Sequence, residues 1–240
     1  MQQLATARRL AIQMLESVGL DEPARRAKAS GWLPWTPLVP ADKFFVCCLQ
    51  AIEHLQRYLP DQAIGDYVEF GVSRGTSLAC VHRALNRKGL SHVRLFGFDS
   101  FEGLPPEAAN EGWKPGAFKS TLPATRRYLT AAGVDWNRVA LVRGWFNDTL
   151  NPETRARLNL HRVSLIMVDC DTHSSSRDAL WFSRSLIQDR AIVFLDDWET
   201  HENAGQQRAF QQFLTEFPEF SAESLPTYAP LARTFLVTRR

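Results

Sequence analysis

Leu4, Ala7, Ala11, Met14 or Leu15, and Val18 recur at three- and four-residue steps, the spacing of one apolar helix face, and Gly19 closes the run. Such a helix suits a cap over a site or a dimer contact. Residues 31–40 carry two Trp and three Pro, which predicts an extended connector before a second helix from Asp42 to Tyr58 that Pro60 stops. From residue 64 the pattern changes. Short, nearly continuous apolar runs at Asp66–Phe70, Val93–Phe98, Val139–Arg143, Leu165–Asp169 and Ile192–Leu195 alternate with helical stretches near 76–87, 123–132, 152–158, 175–188 and 204–216. Strands that are apolar throughout are covered on both faces, so the alternation predicts an α/β fold with a parallel, doubly wound sheet. Phe220–Glu223 and Thr234–Thr238 complete it as a hairpin, for seven strands in all. The expected division is an N-terminal helical extension, 1–62, and a sheet domain, 63–240. The segment Glu102–Thr121 is too long for a tight turn and reads as a lid or binding loop.

Composition narrows the class without choosing a function. The 28 basic and 26 acidic side chains are spread along 240 residues, so no basic stripe marks a nucleic-acid partner. The longest apolar run, Phe44–Leu49, is too short to span a bilayer, and no apolar leader follows Arg8 and Arg9. Cys47, Cys48, Cys80 and Cys170 lack metal or redox spacing and sit in apolar elements, as reduced thiols do. The expectation is a cytoplasmic protein, free of membrane and nucleic acid, that forms a homo-oligomer, a dimer, through its N-terminal helices.

Chemistry concentrates at the predicted strand ends. Glu69-Phe70-Gly71-Val72-Ser73-Arg74-Gly75-Thr76-Ser77 turns a strand into a helix, with glycines that let backbone approach a ligand. Ser73 stands where a dinucleotide fingerprint places its second glycine, which argues against a pyrophosphate cradle. An acid at the strand end, Glu69, suits the ammonium of S-adenosylmethionine, accepting its hydrogen bond directly or through water. Asp99, in Phe98-Asp99-Ser100-Phe101, is placed to bind a ribose diol or to cap a turn. Gly144-Trp145-Phe146 either walls an adenine or joins the core.

Two further strands end in acids: Asp169-Cys170-Asp171 and Asp196-Asp197. Neighbouring strand ends lie about 5 Å apart, so Asp169, Asp196 and Asp197 converge if the strands pair. Carboxylates so close repel unless a cation neutralises them, and oxygen ligands select Mg²⁺ or a similar hard ion. Asp171 fits equally a helix cap before Ser174-Ser175-Ser176-Arg177 and a place in the site.

Taken in order, Gly65-Asp66-Tyr67-Val68-Glu69-Phe70-Gly71-Val72, Phe98-Asp99-Ser100-Phe101-Glu102-Gly103-Leu104-Pro105, Asp169-Cys170-Asp171, Ser175-Ser176-Arg177-Asp178-Ala179-Leu180 and Asp196-Asp197-Trp198 resemble the macrocin O-methyltransferase family over residues 64–215. The resemblance implies a Rossmann-like class I methyltransferase of antibiotic or other natural-product biosynthesis. It also implies S-adenosylmethionine as cofactor, Mg²⁺ on Asp169, Asp196 and Asp197, and a small hydroxylated acceptor, a sugar moiety with vicinal oxygens. Asp169 is then ligand and general base together; His173, where family members commonly carry Tyr, and His201 are the other candidate bases. Two alternatives stay open: a catechol or phenol acceptor, and a non-catalytic S-adenosylmethionine-binding protein.

Overall fold

The computed structural model describes residues 21–32, 37–198 and 205–240 and divides into two compact units, Met1–Thr36 and Pro37–Arg240. The expected helix over residues 4–18 and His201 lie outside the described residues. In the first unit a helix that the apolar spacing did not announce, α1 (Asp21–Ala29), ends where Gly31 takes a positive φ and the Trp32 N–H bonds to the Ala27 carbonyl at 2.9 Å.

The second unit contains α2 (Ala41–Gln56), β1 (Asp66–Phe70), α3 (Thr76–Arg87), β2 (Leu95–Asp99), α4 (Leu122–Ala131), β3 (Val139–Arg143), α5 (Phe146–Thr149), α6 (Pro152–Arg157), β4 (Val163–Val168), α7 (His173–Arg184), β5 (Arg190–Leu195), α8 (Gly205–Glu216), β6 (Phe220–Leu225) and β7 (Arg233–Arg239). The sheet runs β3-β2-β1-β4-β5-β7-β6, parallel through its first five positions, with β7 antiparallel to β5 and β6. The seven-stranded α/β sheet and its terminal hairpin match the expectation. Helix α2, assigned by sequence to the N-terminal extension, packs into the sheet unit: its Phe44, Cys48, Ile52 and Leu55 are buried with Tyr67, Leu165 and Phe194.

Successive side chains of a strand face opposite ways, and the cores follow that alternation. Tyr67, Met167 and Phe194 point under α2 and α3; Val68, Phe70, Ile166, Val168, Val193 and Leu195 point under α7 and α8. Each such fully buried apolar side chain contributes about 1.5–3 kcal/mol, so a one-residue slip of register would expose a whole row. Among the described residues no helix is long and apolar enough to cross a membrane.

Candidate active site

Register builds the site before any side chain does. Phe98, Phe70, Val168 and Leu195 are paired across β2, β1, β4 and β5, so the residues that follow them, Asp99, Gly71, Asp169 and Asp196, form one row along the carboxyl edge. The strand order reverses between β1 and β4, and at such a switch point the outgoing loops part to leave a crevice. The crevice here is a cavity of about 340 Å³ that runs from Gly144, Trp145 and Phe146 past Gly71, Ser73, Asp99 and Ser100 to Asp169, Asp171, Asp196 and Asp197. That volume lies within the range of small-ligand sites.

Asp169, Asp196 and Asp197 meet at one end, each offering an oxygen within 4.8 Å of the others. Their backbones are fixed by the sheet edge: the Asp169 N–H donates to the Phe70 carbonyl (2.9 Å) and the Asp196 N–H to the Val168 carbonyl (3.2 Å). Gln206, buried on α8, accepts from the Asp197 N–H (3.0 Å) and donates to the Val168 carbonyl (3.1 Å), tying the tips of β4 and β5 together. The Asp197 Oδ2 accepts from the Asp171 N–H at 3.1 Å, and the Tyr228 hydroxyl donates to Asp196. No N–H or O–H among the described residues donates to the Asp169 carboxylate.

Burial pushes the Asp169 carboxyl well above the usual range, and the charges of Asp196, Asp197, Asp171 and Glu69 push it further. Asp197 is raised by burial and then by Asp171 and Asp196; Asp171 is pushed up to about 7 by burial and Asp196. Asp196 is raised by burial against the opposing Tyr228 hydrogen bond. Such a group resists full ionisation until a cation neutralises it, and an all-oxygen donor set fits a hard divalent ion. The residues present therefore fit the metal that the sequence implied.

Asp99 closes the glycine turn. Asp99 Oδ2 accepts the N–H groups of Val72 (2.8 Å) and Ser73 (2.7 Å), and its Oδ1 accepts that of Phe101 (2.6 Å). Three of about four acceptor positions are thus used on backbone, the turn-capping role, with room left for one further hydrogen bond from a ligand. Glu69 sits deeper than the turn. It lies on the same face of β1 as Tyr67, fully buried and off the cavity wall, with its oxygens held by the Tyr67 hydroxyl and the Ser77 hydroxyl (2.6 Å). Burial raises its pKa to about 8.

The remaining candidates divide. Gly71, Ser73, Ser100, Gly144, Trp145, Phe146 and Asp171 line the cavity; Phe70, Phe101, Gly75, Thr76 and Ser77 do not. Phe70 stacks on Phe98 at 5.5 Å in the core, and Phe146 meets its edge at 5.9 Å while also facing the cavity. Gly75 begins α3 with a φ of 96°, and the buried Thr76 hydroxyl has no partner among the described residues. Helix α7 is capped by Thr172, whose hydroxyl accepts from the Ser175 N–H at 3.2 Å, which frees Asp171 for the cavity. His173 opens α7 off the cavity wall.

The lid expected at 102–121 covers the cavity with Leu104, Pro105, Glu107, Trp113, Ala117 and Phe118, and a 3₁₀ turn spans Pro106–Glu111. Its latch was not foreseen. Glu111 accepts from the N–H of His173 (2.6 Å) and from the N–H and hydroxyl of Ser174 (3.3 and 3.2 Å), at the start of α7. Gln206 and Tyr228 also escaped the sequence reading; each is an uncharged residue far from the acids it touches.

The model of the macrocin O-methyltransferase (TylF) family matches residues 36–217, most of the chain. The chain belongs to that family. Among solved structures, the O-methyltransferase NovP superposes with a TM-score of 0.67 at 20% identity, covering 82% of this chain and 80% of its own. The calicheamicin methyltransferase CalS11 gives 0.62 at 21% identity, covering 81% and 79%. These likenesses establish the class I methyltransferase fold. A curated relative from Streptomyces olivaceus, 8-demethyl-8-(2,3-dimethoxy-alpha-L-rhamnosyl)-tetracenomycin-C 4'-O-methyltransferase, is 29% identical over 163 residues. The match takes in 62% of this chain and 60% of that relative.

Proposed function

We propose that this member of the macrocin O-methyltransferase family moves the methyl group of S-adenosylmethionine to a hydroxyl of a small molecule, a sugar moiety of a natural product, with Mg²⁺ assistance. The observation that carries the reading is the convergence of Asp169, Asp196 and Asp197 within 4.8 Å beside the cavity at the sheet's switch point. Family membership and the relative's printed activity on a rhamnosyl-tetracenomycin support the acceptor class.

S-adenosylmethionine supplies a methyl on a sulfonium, and Mg²⁺ held by the three acids would lower the pKa of vicinal hydroxyls and fix their direction. Gly71, Ser73, Asp99 and Ser100, which line the cavity, would hold the cofactor, with Trp145 and Phe146 beside its base. Asp169 receives the proton of the acceptor hydroxyl as the new O–CH₃ bond forms and the S–CH₃ bond breaks, with the bonding pair left on sulfur. Asp169 faces the cavity with no protein donor on its carboxylate among the described residues, and His173, off the cavity wall, is the weaker candidate.

The test is incubation of the purified protein with S-adenosylmethionine and rhamnosylated polyketides. A product heavier by one methylene, lost on chelation and restored by Mg²⁺, is expected. Turnover undiminished by exhaustive chelation would remove the metal, and failure to bind S-adenosylhomocysteine in calorimetry would remove the enzyme reading. A catechol or phenol acceptor has one observation in its favour, the Trp113–Phe118 pair on the lid, with ring centroids 6.0 Å apart. The same assay with catechol separates the two.

A further inference from the structure

Asp196 has two oxygens and one protein donor. The Tyr228 hydroxyl bonds Oδ1, while Oδ2 has no partner among the described residues. Tyr228 stands in the connection between β6 and β7, outside the stretch that the family model matches, and 32 residues beyond the acid it touches. It is nonetheless tightly held. The ring is buried, meets the edge of Phe44 on α2 at 4.6 Å, and Phe44 in turn meets Phe194 of β5 at 5.3 Å. The connection itself is pinned on both sides, by the Trp198 N–H on the Leu231 carbonyl (2.9 Å) and the Cys47 thiol on the Pro226 carbonyl (3.4 Å).

We propose that Tyr228 is a positioning residue of the metal site: by holding Oδ1 of Asp196 it sets the carboxylate's rotation and reserves Oδ2, as a single oxygen, for the cation. This rests on the metal-assisted reading above. The chemistry of the donor matters. A lysine or arginine in its place would orient Asp196 equally well but would cancel the negative charge that draws the ion. A phenol orients without cancelling. The rigid ring also removes the freedom of a carboxylate to swing toward a two-oxygen grip that the crowded trio of acids leaves little space for. The C-terminal hairpin and α2 thereby become structural parents of the site, although neither contributes a ligand.

The experiment is Mn²⁺ binding, read by the electron paramagnetic resonance of the free ion, to wild type, Tyr228→Phe, Asp196→Asn and the double variant, without cofactor or acceptor. Phenylalanine keeps the ring that Phe44 packs on. Partners behind a metal's ligands are typically worth roughly 10- to 100-fold in affinity, so Tyr228→Phe should bind Mn²⁺ weaker by about that factor. In the Asp196→Asn background the same change should add little, since its effect passes through that carboxylate. Phe44→Leu supplies the contrast: it loosens the ring's packing and keeps the hydroxyl, and should lower the melting temperature while weakening Mn²⁺ binding by less than Tyr228→Phe does. Wild-type affinity in Tyr228→Phe, additive losses in the double variant, or a Tyr228→Phe protein that does not fold would each overturn the proposal and leave the metal reading in place. A wild-type protein that binds no Mn²⁺ would overturn both.

Discussion

Gly71 and Asp169 meet across the tips of β1 and β4 so closely that a Cβ on Gly71 would stand 1.7 Å from the Asp169 carbonyl oxygen. The glycine that lines the cavity also admits a neighbouring strand, and its φ of 89° belongs to the left-handed region. Gly71→Ala should therefore displace the strand end that carries Asp169. Gly89, with a φ of 72° and nothing within 4 Å, isolates the conformational part. Gly89→Ala should cost about 1–2 kcal/mol. Gly71→Ala should cost at least about 2 kcal/mol more, a further fall in melting temperature of roughly 4 °C or greater, and should weaken Mn²⁺ binding. Equal melting temperatures for the two variants would show that the β4 tip yields freely.

That pair also shows what could be read ahead of the coordinates. Apolar runs located all five parallel strands because doubly covered strands must be apolar, and the acids just past them were visible as breaks in those runs. The direction of a side chain at the strand end was not. Glu69 and Asp169 look alike in sequence, yet two-residue alternation sends Glu69 under α2 and α3, while Asp169 lies one step beyond its strand and faces the crevice. Glu111, Gln206 and Tyr228 were invisible because their partners lie 62, 9 and 32 residues away, in contacts that only the folded chain makes.

Asp169→Asn keeps the shape of the side chain and removes its charge and its basicity. With the other two acids intact, the fold should persist, and turnover should fall by about 10²–10⁴-fold, the usual worth of a positioned base. Single-turnover rates at saturating Mg²⁺ separate lost base from lost metal. A rate within threefold of wild type there would clear Asp169 of proton transfer.

Glu69 makes stability depend on pH in an unusual direction for an acid. Its folded pKa, about 8, exceeds the ordinary 4.5, so between those values the folded chain keeps a proton that the unfolded chain has released. The unfolded state then binds fewer protons, and stability falls as pH rises, by about 1.4 kcal/mol per unit, levelling off above pH 8. Glu69→Gln lacks the titrating group and should lose this slope. Urea unfolding of both proteins at several pH values from 5 to 9 measures the difference between them. Parallel curves would mean that the carboxyl is ionised throughout.

Glu111 latches the lid through three hydrogen bonds at the α7 N-terminus, where a carboxylate is also favoured by the helix dipole. Charged hydrogen bonds of this kind are worth about 1.5–3 kcal/mol, and Glu111→Ala should spend that energy on local opening rather than on global unfolding. Amide exchange should quicken by roughly tenfold or more in residues 103–118 and stay unchanged in β4 and β5. Uniform acceleration over the whole sheet domain would make Glu111 a general stabiliser instead of a latch.

The wall of the cavity makes a statement about acceptors. Asp99, Glu107, Asp169, Asp171, Asp178, Asp196 and Asp197 all face it, and no lysine, arginine or histidine does among the described residues. A divalent ion and the single net positive charge of S-adenosylmethionine offset part of that charge; Glu107 and Asp178, on the lid and α7, stand apart from the metal trio. A phosphate brought within about 8 Å of one unscreened carboxylate meets a repulsion of about 2 kcal/mol at an effective dielectric of 20. Arg177, 3.9 Å from Asp178, offsets that acid in part, so the Glu107 encounter sets the lower bound: a sugar still carried on a nucleoside diphosphate is disfavoured by about tenfold or more against the same sugar on a neutral aryl group. Measured kcat/KM for the two forms of one sugar should show that gap. High salt should narrow it, and so should Glu107→Gln combined with Asp178→Asn, because both act on the repulsion and not on the methyl transfer. Equal kcat/KM for the charged and neutral forms at low salt would show that cations from elsewhere in the protein complete the wall.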